Sequence, residues 1–143
     1  MKKTIFIGKT GSGKTTLCQK IHDLDLKYKK TQSVEIYDES IDTPGEYLEN
    51  RSYYKALIVT SVDADIIALV CDCTAEEDYI APGFCSMFAK DCIGIVTKID
   101  IAHSEDKIEH ARDILKKAGV SRIFEVNTLD GTGIEELIKY LSS

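Results

Sequence analysis

The chain is poor in proline, in arginine and in long apolar runs, and each shortage removes a class of protein. Only two prolines, Pro44 and Pro82, stand in 143 residues. No Pro-rich linker, repeat or low-complexity tract divides the chain. The apolar run Thr4–Ile7, behind Lys2-Lys3, imitates the start of a signal peptide but stops at Gly8-Lys9. That is too short for a secretory segment or a membrane span, so no membrane partner is expected. Positive charge is also in deficit. Lys and Arg number 18 against 24 Asp and Glu, a formal net charge of -6 with a pI near 5.1. A phosphate backbone is repelled by that balance in the absence of a basic run, so no nucleic-acid partner is expected. The five cysteines are odd in number and lack a secretory context, which points to reduced thiols in a cytoplasm. Cys71-Asp72-Cys73 does not have zinc-knuckle spacing, and none of the three histidines stands near it. Buried or strand-end thiols are expected there.

What is present suits one domain over residues 1–143. Short apolar runs at Thr4–Ile7, Ile66–Cys71, Cys92–Val96 and Ile123–Val126 read as buried strands. Segments of helical spacing separate them: Thr15–Leu24, Ser52–Val62, Ile108–Ala118 stopped by Gly119, and Ile134–Leu141 capped at Thr132. Alternating strands and helices predict an α/β fold with a mostly parallel central sheet covered on both faces. Ser33–Tyr37 and Ser40–Asp42 are separated only by Asp38-Glu39, so a hairpin would add one antiparallel edge strand. The stretch Tyr79–Ala89, with Pro82-Gly83 and then Phe84, Cys85, Met87 and Phe88, is too short and too apolar for a surface helix. It reads as a satellite of the core, or else as a patch for a partner.

The chemistry begins at "FIGKTGSGKTT". Gly8-Lys9-Thr10-Gly11-Ser12-Gly13-Lys14-Thr15 is the full P-loop pattern, set between a predicted strand and a predicted helix that opens through Thr16. Glycines let the backbone curl so that its N–H groups face phosphates, and the helix N-terminus adds positive potential. Lys14 would neutralise the β and γ oxygens, and Thr15 would give its hydroxyl to Mg²⁺. "IDTPGEY" then supplies Asp-x-x-Gly after a strand. Asp42 would hold the metal through water, and the Gly45 N–H would sense the γ-phosphate.

The base is read elsewhere. Val96-Thr97-Lys98-Ile99-Asp100 closes an apolar strand, at the edge where doubly wound sheets bind ligands. Asp100 can accept from both N1–H and the 2-amino group of guanine, while Lys98 lays its stem along the ring. Thr97 stands where asparagine is usual, a shorter brace for the phosphate loop. After the next strand, Asn127-Thr128 would offer a main-chain N–H to the guanine oxygen.

With these motifs, the chain resembles a translation-factor-class small GTPase domain and, more narrowly, the EutP/PduV family of ethanolamine and propanediol utilisation. The block "KTQSVEIYDESIDTPGEYLENRSYYKALIVTSVDADIIALV", Lys30 to Val70, carries the likeness most specifically, followed by Pro82-Gly83-Phe84 and Thr97–Asp100. The resemblance implies a Ras-like P-loop fold, GTP or GDP with Mg²⁺ (ATP being the alternative), and a role beside a bacterial microcompartment. Its partners would be the shell or pathway enzymes. Thr31 is the candidate threonine of the first switch. Glu46 stands where many small GTPases place a water-orienting glutamine, so Lys14 and Glu46 are the catalytic candidates and unaided hydrolysis is expected to be slow. Three functions remain open: a GTP-dependent switch or assembly factor, a P-loop kinase passing the γ-phosphate of ATP to a small carboxylate such as acetate, and a shell-docking module with little turnover. The kinase would want an arginine-rich lid, and Arg51, Arg112 and Arg122 are the only arginines. The chain starts just before its first strand and stops at Ser142-Ser143, with no amphipathic extension. The outer, cytoplasmic face of a compartment is the expected location.

Overall fold

The computed structural model describes residues 2–32, 40–102 and 104–143, the side chains of 25–32 being outside that description. Five strands form one sheet in the order β2-β1-β3-β4-β5. They are β1 (Thr4–Ile7), β2 (Ser40–Asp42), β3 (Ile66–Asp72), β4 (Asp91–Thr97) and β5 (Ile123–Glu125). Every pairing among them is parallel. Ser33–Tyr37, the other half of the expected hairpin, lies outside the described residues. β2 occupies the sheet edge, where that partner was expected to join it.

The uninterrupted apolar runs are explained by burial on both faces. Alternate residues of one strand enter different cores: Ile5, Ile7, Ile67 and Leu69 join one cluster, while Phe6, Ala68 and Val70 join the other. The first is covered by α3 (Tyr54–Ser61) and α4 (Glu105–Ala118) through Leu57, Ala111 and Leu115. The second is covered by α1 (Lys14–Gln32) and α5 (Ile134–Ser142) through Leu17, Ile21, Ile134, Leu137 and Leu141. A short α2 (Glu46–Glu49) follows β2.

Several helix ends differ from the sequence expectation, α4 for one beginning at Glu105 where Ile108 was expected. α1 begins at Lys14 and runs on to Gln32, while the expected stretch 15–24 supplies Leu17, Cys18 and Ile21 to the second core. α5 is capped not by Thr132 but by Gly133, in the left-handed region at φ 80°. A Cβ there would collide with the Glu125 carbonyl oxygen, so only glycine lets the chain enter the helix at that point. The Thr132 hydroxyl is spent instead on Asp130 Oδ1 at 2.6 Å. The expected helix Ser52–Val62 starts as a 3-10 turn, Arg51–Tyr53, whose Ser52 N–H donates to Asn50 Oδ1 at 3.0 Å.

The stretch Tyr79–Ala89 sends four side chains into the core while Tyr79 stays exposed. Ile80, Phe84, Cys85 and Phe88 are buried, and the Phe84 ring meets Tyr54 edge-on at 5.5 Å and Phe88 at 5.6 Å. Cys71 and Cys73 are buried at and just past the end of β3.

Candidate functional site

Parallel register brings the chemistry to one edge. Phe6 pairs with Asp42 and Asp72 with Thr97, so β2, β3 and β4 each deliver a polar residue beside the loop that leaves β1. That loop is a tight curl. Gly11 and Gly13 take φ values of 80° and 89°, and Ser12 N–H donates to the Lys9 carbonyl at 3.1 Å. Gly8 lies behind it, where a Cβ would stand 2.8 Å from Ser12 Oγ. In front is a cavity of about 610 Å³ lined by residues 9–16, 42–45 and Lys98.

The Lys14 ammonium is buried and bonded to Asp42 Oδ1 and to the Thr43 carbonyl. A buried ammonium needs such oxygen acceptors, and phosphate oxygens are acceptors of the same kind. Thr15 Oγ1 donates to Asp42 Oδ2 at 2.7 Å. A hydroxyl and a carboxylate at that spacing are hard oxygen donors, the set that fits magnesium. Asp42 is held in place by the next residue, since Thr43 Oγ1 donates to the Phe6 carbonyl at 2.7 Å. Gly45 packs directly on the backbone of Thr10, so closely that a Cβ would clash with it. The Thr10 hydroxyl donates to Glu49 Oε2 at 2.9 Å, tying α2 to the loop.

The other end of the loop is braced from β4. Thr97 Oγ1 donates to the Ser12 carbonyl at 2.6 Å, so the shorter side chain does reach the loop. Lys98, at a left-handed φ of 62°, donates from Nζ to the Gly11 carbonyl at 2.8 Å and to Asp72 Oδ2 at 2.8 Å. Asp100 lies in the following 3-10 turn, Ile99–Ile101, exposed and without a hydrogen bond or ion pair among the described residues. Asn127 is buried and turned inward: its Oδ1 accepts from Leu129 N–H at 2.9 Å. Neither it, Thr128 nor Asp100 lines the phosphate cavity. The side chain of Thr31 lies outside the described residues.

A family model described as PduV-EutP, ethanolamine utilisation - propanediol utilisation, matches residues 1–143. The chain belongs to that family. The propanediol utilization protein PduV of Citrobacter freundii is 40% identical over 143 residues, which are 100% of this chain and 95% of that one. A protein of Escherichia coli K12 named probable acetate kinase EutP is 33% identical, covering 100% of this chain and 91% of its own length. Among solved structures, elongation factor SelB of Methanococcus maripaludis, in complex with the GTP analogue GppNHp, superposes with a TM-score of 0.67 at 16% identity. The match covers 99% of this chain and spans about a third (33%) of SelB. The fold of this PduV-EutP member is that of a P-loop GTPase G domain.

Three residues of the site escaped the sequence reading. Thr43 and Glu49 carry no motif signal. Asp72 carried one, as a lone carboxylate ending a wholly buried strand. Burial alone would raise the Asp72 carboxyl, but hydrogen bonds from Lys98 and Thr74 outweigh it and hold the group below the ordinary aspartate value. A carboxyl that is the stronger acid when folded adds stability that is present above its unfolded pKa. That stability is lost as pH falls through the folded pKa. Asp72→Asn should therefore lower the thermal midpoint at neutral pH and flatten its decline between about pH 5 and about pH 3. Melting curves across that range check this; a variant with the parent's profile would mean that the Lys98–Asp72 pair adds nothing.

Glu46 opens α2 on the exposed side and does not line the cavity. Glu46→Gln is expected to leave nucleotide affinity unaltered and single-turnover hydrolysis within about threefold of the parent. A drop of about a hundredfold would identify Glu46 as a general base.

Proposed function

We propose that residues 1–143 form a single small GTPase-like domain that binds a purine nucleoside triphosphate with Mg²⁺, GTP favoured over ATP, and hydrolyses it slowly. It would act as a switch or assembly factor for an ethanolamine- or propanediol-utilising microcompartment, in the cytoplasm and at the compartment's outer face, with the shell or pathway enzymes as partners. The observation that carries the nucleotide reading is the convergence of Lys14, Thr15 and Asp42 at the mouth of the curled loop. In this reading the loop N–H groups and Lys14 bind and orient the phosphates, Thr15 and Asp42 hold the ion, and Gly45 reports on the terminal phosphate through its contact with Thr10. The ion, when bound, neutralises phosphate charge. The preference for guanine is supported by the uncommitted Asp100 carboxylate following Lys98, with the Asn127-Thr128 backbone as the second contact. Slow turnover is supported by the position of Glu46, away from the cavity.

The relative named probable acetate kinase favours a second reading, transfer of the γ-phosphate of ATP to a small carboxylate. The experiment that separates the two supplies GTP or ATP, with and without acetate, and assays both inorganic phosphate and acyl phosphate. Phosphate released slowly from GTP, indifferent to acetate, is the expected result. Acyl phosphate formed from ATP would give the kinase reading the site.

A further inference from the structure

The cations lining the phosphate cavity are Lys9, Lys14 and Lys98. Two are committed: Lys14 to Asp42 and Lys98 to Asp72. The Lys9 ammonium has only a 3.4 Å contact with the Thr10 carbonyl and, among the described residues, no carboxylate within ion-pair distance. The P-loop pattern leaves this position free to be any residue, so the motif does not account for a lysine here.

The course of the loop gives Lys9 its place. Thr97 holds the Ser12 carbonyl and Lys98 holds the Gly11 carbonyl, so residues 11–13 lie on the β4 side. Thr10, by contrast, lies against Gly45 and bonds to Glu49. From Gly13 back to Lys9 the loop thus runs from the side expected to take the base to the side of the Asp42–Gly45 turn. Lys9 directly precedes Thr10 at the second end and is, among the described residues, the lining cation without a carboxylate partner; the added charge of a triphosphate over a diphosphate would fall at that end. Resting on the nucleotide reading above, we infer that Lys9 is a further contact for the terminal phosphate, beside Lys14 and Gly45, and sets the preference for triphosphate over diphosphate.

The test compares the full chain with Lys9→Ala and Lys9→Arg in magnesium buffer, titrating GDP, GTP, and GDP with aluminium fluoride. If the chain takes adenine instead, the adenine nucleotides serve equally, because the inference concerns phosphate number. One charge-assisted hydrogen bond predicts a loss of about tenfold for GTP and for the fluoride complex in Lys9→Ala, with GDP affinity changed less than about twofold. Lys9→Arg should restore the preference. Equal weakening of GDP and GTP, or no change in either, overturns the role of Lys9 while leaving nucleotide binding intact. A parent chain that binds no nucleotide overturns the reading beneath it instead. A thermal melt of each variant distinguishes lost affinity from lost fold.

Discussion

Lys14→Ala is expected to abolish magnesium-dependent triphosphate binding while leaving the fold in place. Lys14 opens α1 with its ammonium among oxygen acceptors at the cavity, not among apolar side chains. Two charge-assisted bonds to phosphate, at about 1.5–3 kcal/mol each, correspond to roughly two to four orders of magnitude in affinity. Stability should respond far less. Asp42 keeps its 2.7 Å bond from Thr15 and, with its side chain 33% exposed, can be solvated once the ammonium is gone. The thermal midpoint is expected to move by no more than about 5 °C. Titration calorimetry beside a melt checks both halves; retained triphosphate affinity would sink the phosphate-loop assignment.

Asp100→Asn should change the base rather than remove it. The native carboxylate can accept from guanine N1–H and from its 2-amino group. An amide puts a donor where one acceptor stood, and opposed donors cost at least ~1–3 kcal/mol, about tenfold to a hundredfold in affinity. Xanthine carries a carbonyl in place of the amino group, so the new amide can donate to it. The variant is therefore expected to exchange GTP for XTP, a reversal that misfolding cannot imitate. Asp100 is exposed and bonds to nothing else in the described structure, so the near-isosteric change should leave the melt untouched. Competition binding with GTP, XTP and ATP decides it. If the parent prefers ATP and the variant binds all three as before, Asp100 does not read the base, and the kinase reading gains.

The layout of this site was readable in the sequence wherever one local rule governs the residue. β1, β3 and β4 announce themselves because burial on both faces demands unbroken apolar runs, and the phosphate loop because its glycines must curl between a strand and a helix. Asp42 was readable for the same reason: a short strand ending in Asp-x-x-Gly comes into register beside Phe6. Where a distant contact decides, the sequence was silent. Gly133 rather than Thr132 caps α5 because the Glu125 carbonyl crowds that turn. Glu46 faces outward because Gly45 is pressed on Thr10 and Glu49 is bonded to the same residue, which fixes the orientation of a four-residue helix. Asp72 stands out only as a carboxylate at the end of a buried strand; its partner Lys98, distant in sequence, is visible in the structure alone.

Direct titration of the purified chain with GDP, GTP, ADP and ATP, in magnesium and again with the metal chelated, bears most immediately on the proposed nucleotide site. Guanine nucleotides should bind more tightly than adenine nucleotides, and the triphosphate should lose affinity when magnesium is withdrawn. Failure of all four to bind, or triphosphate binding indifferent to magnesium, would contradict the roles given to Lys14, Thr15 and Asp42.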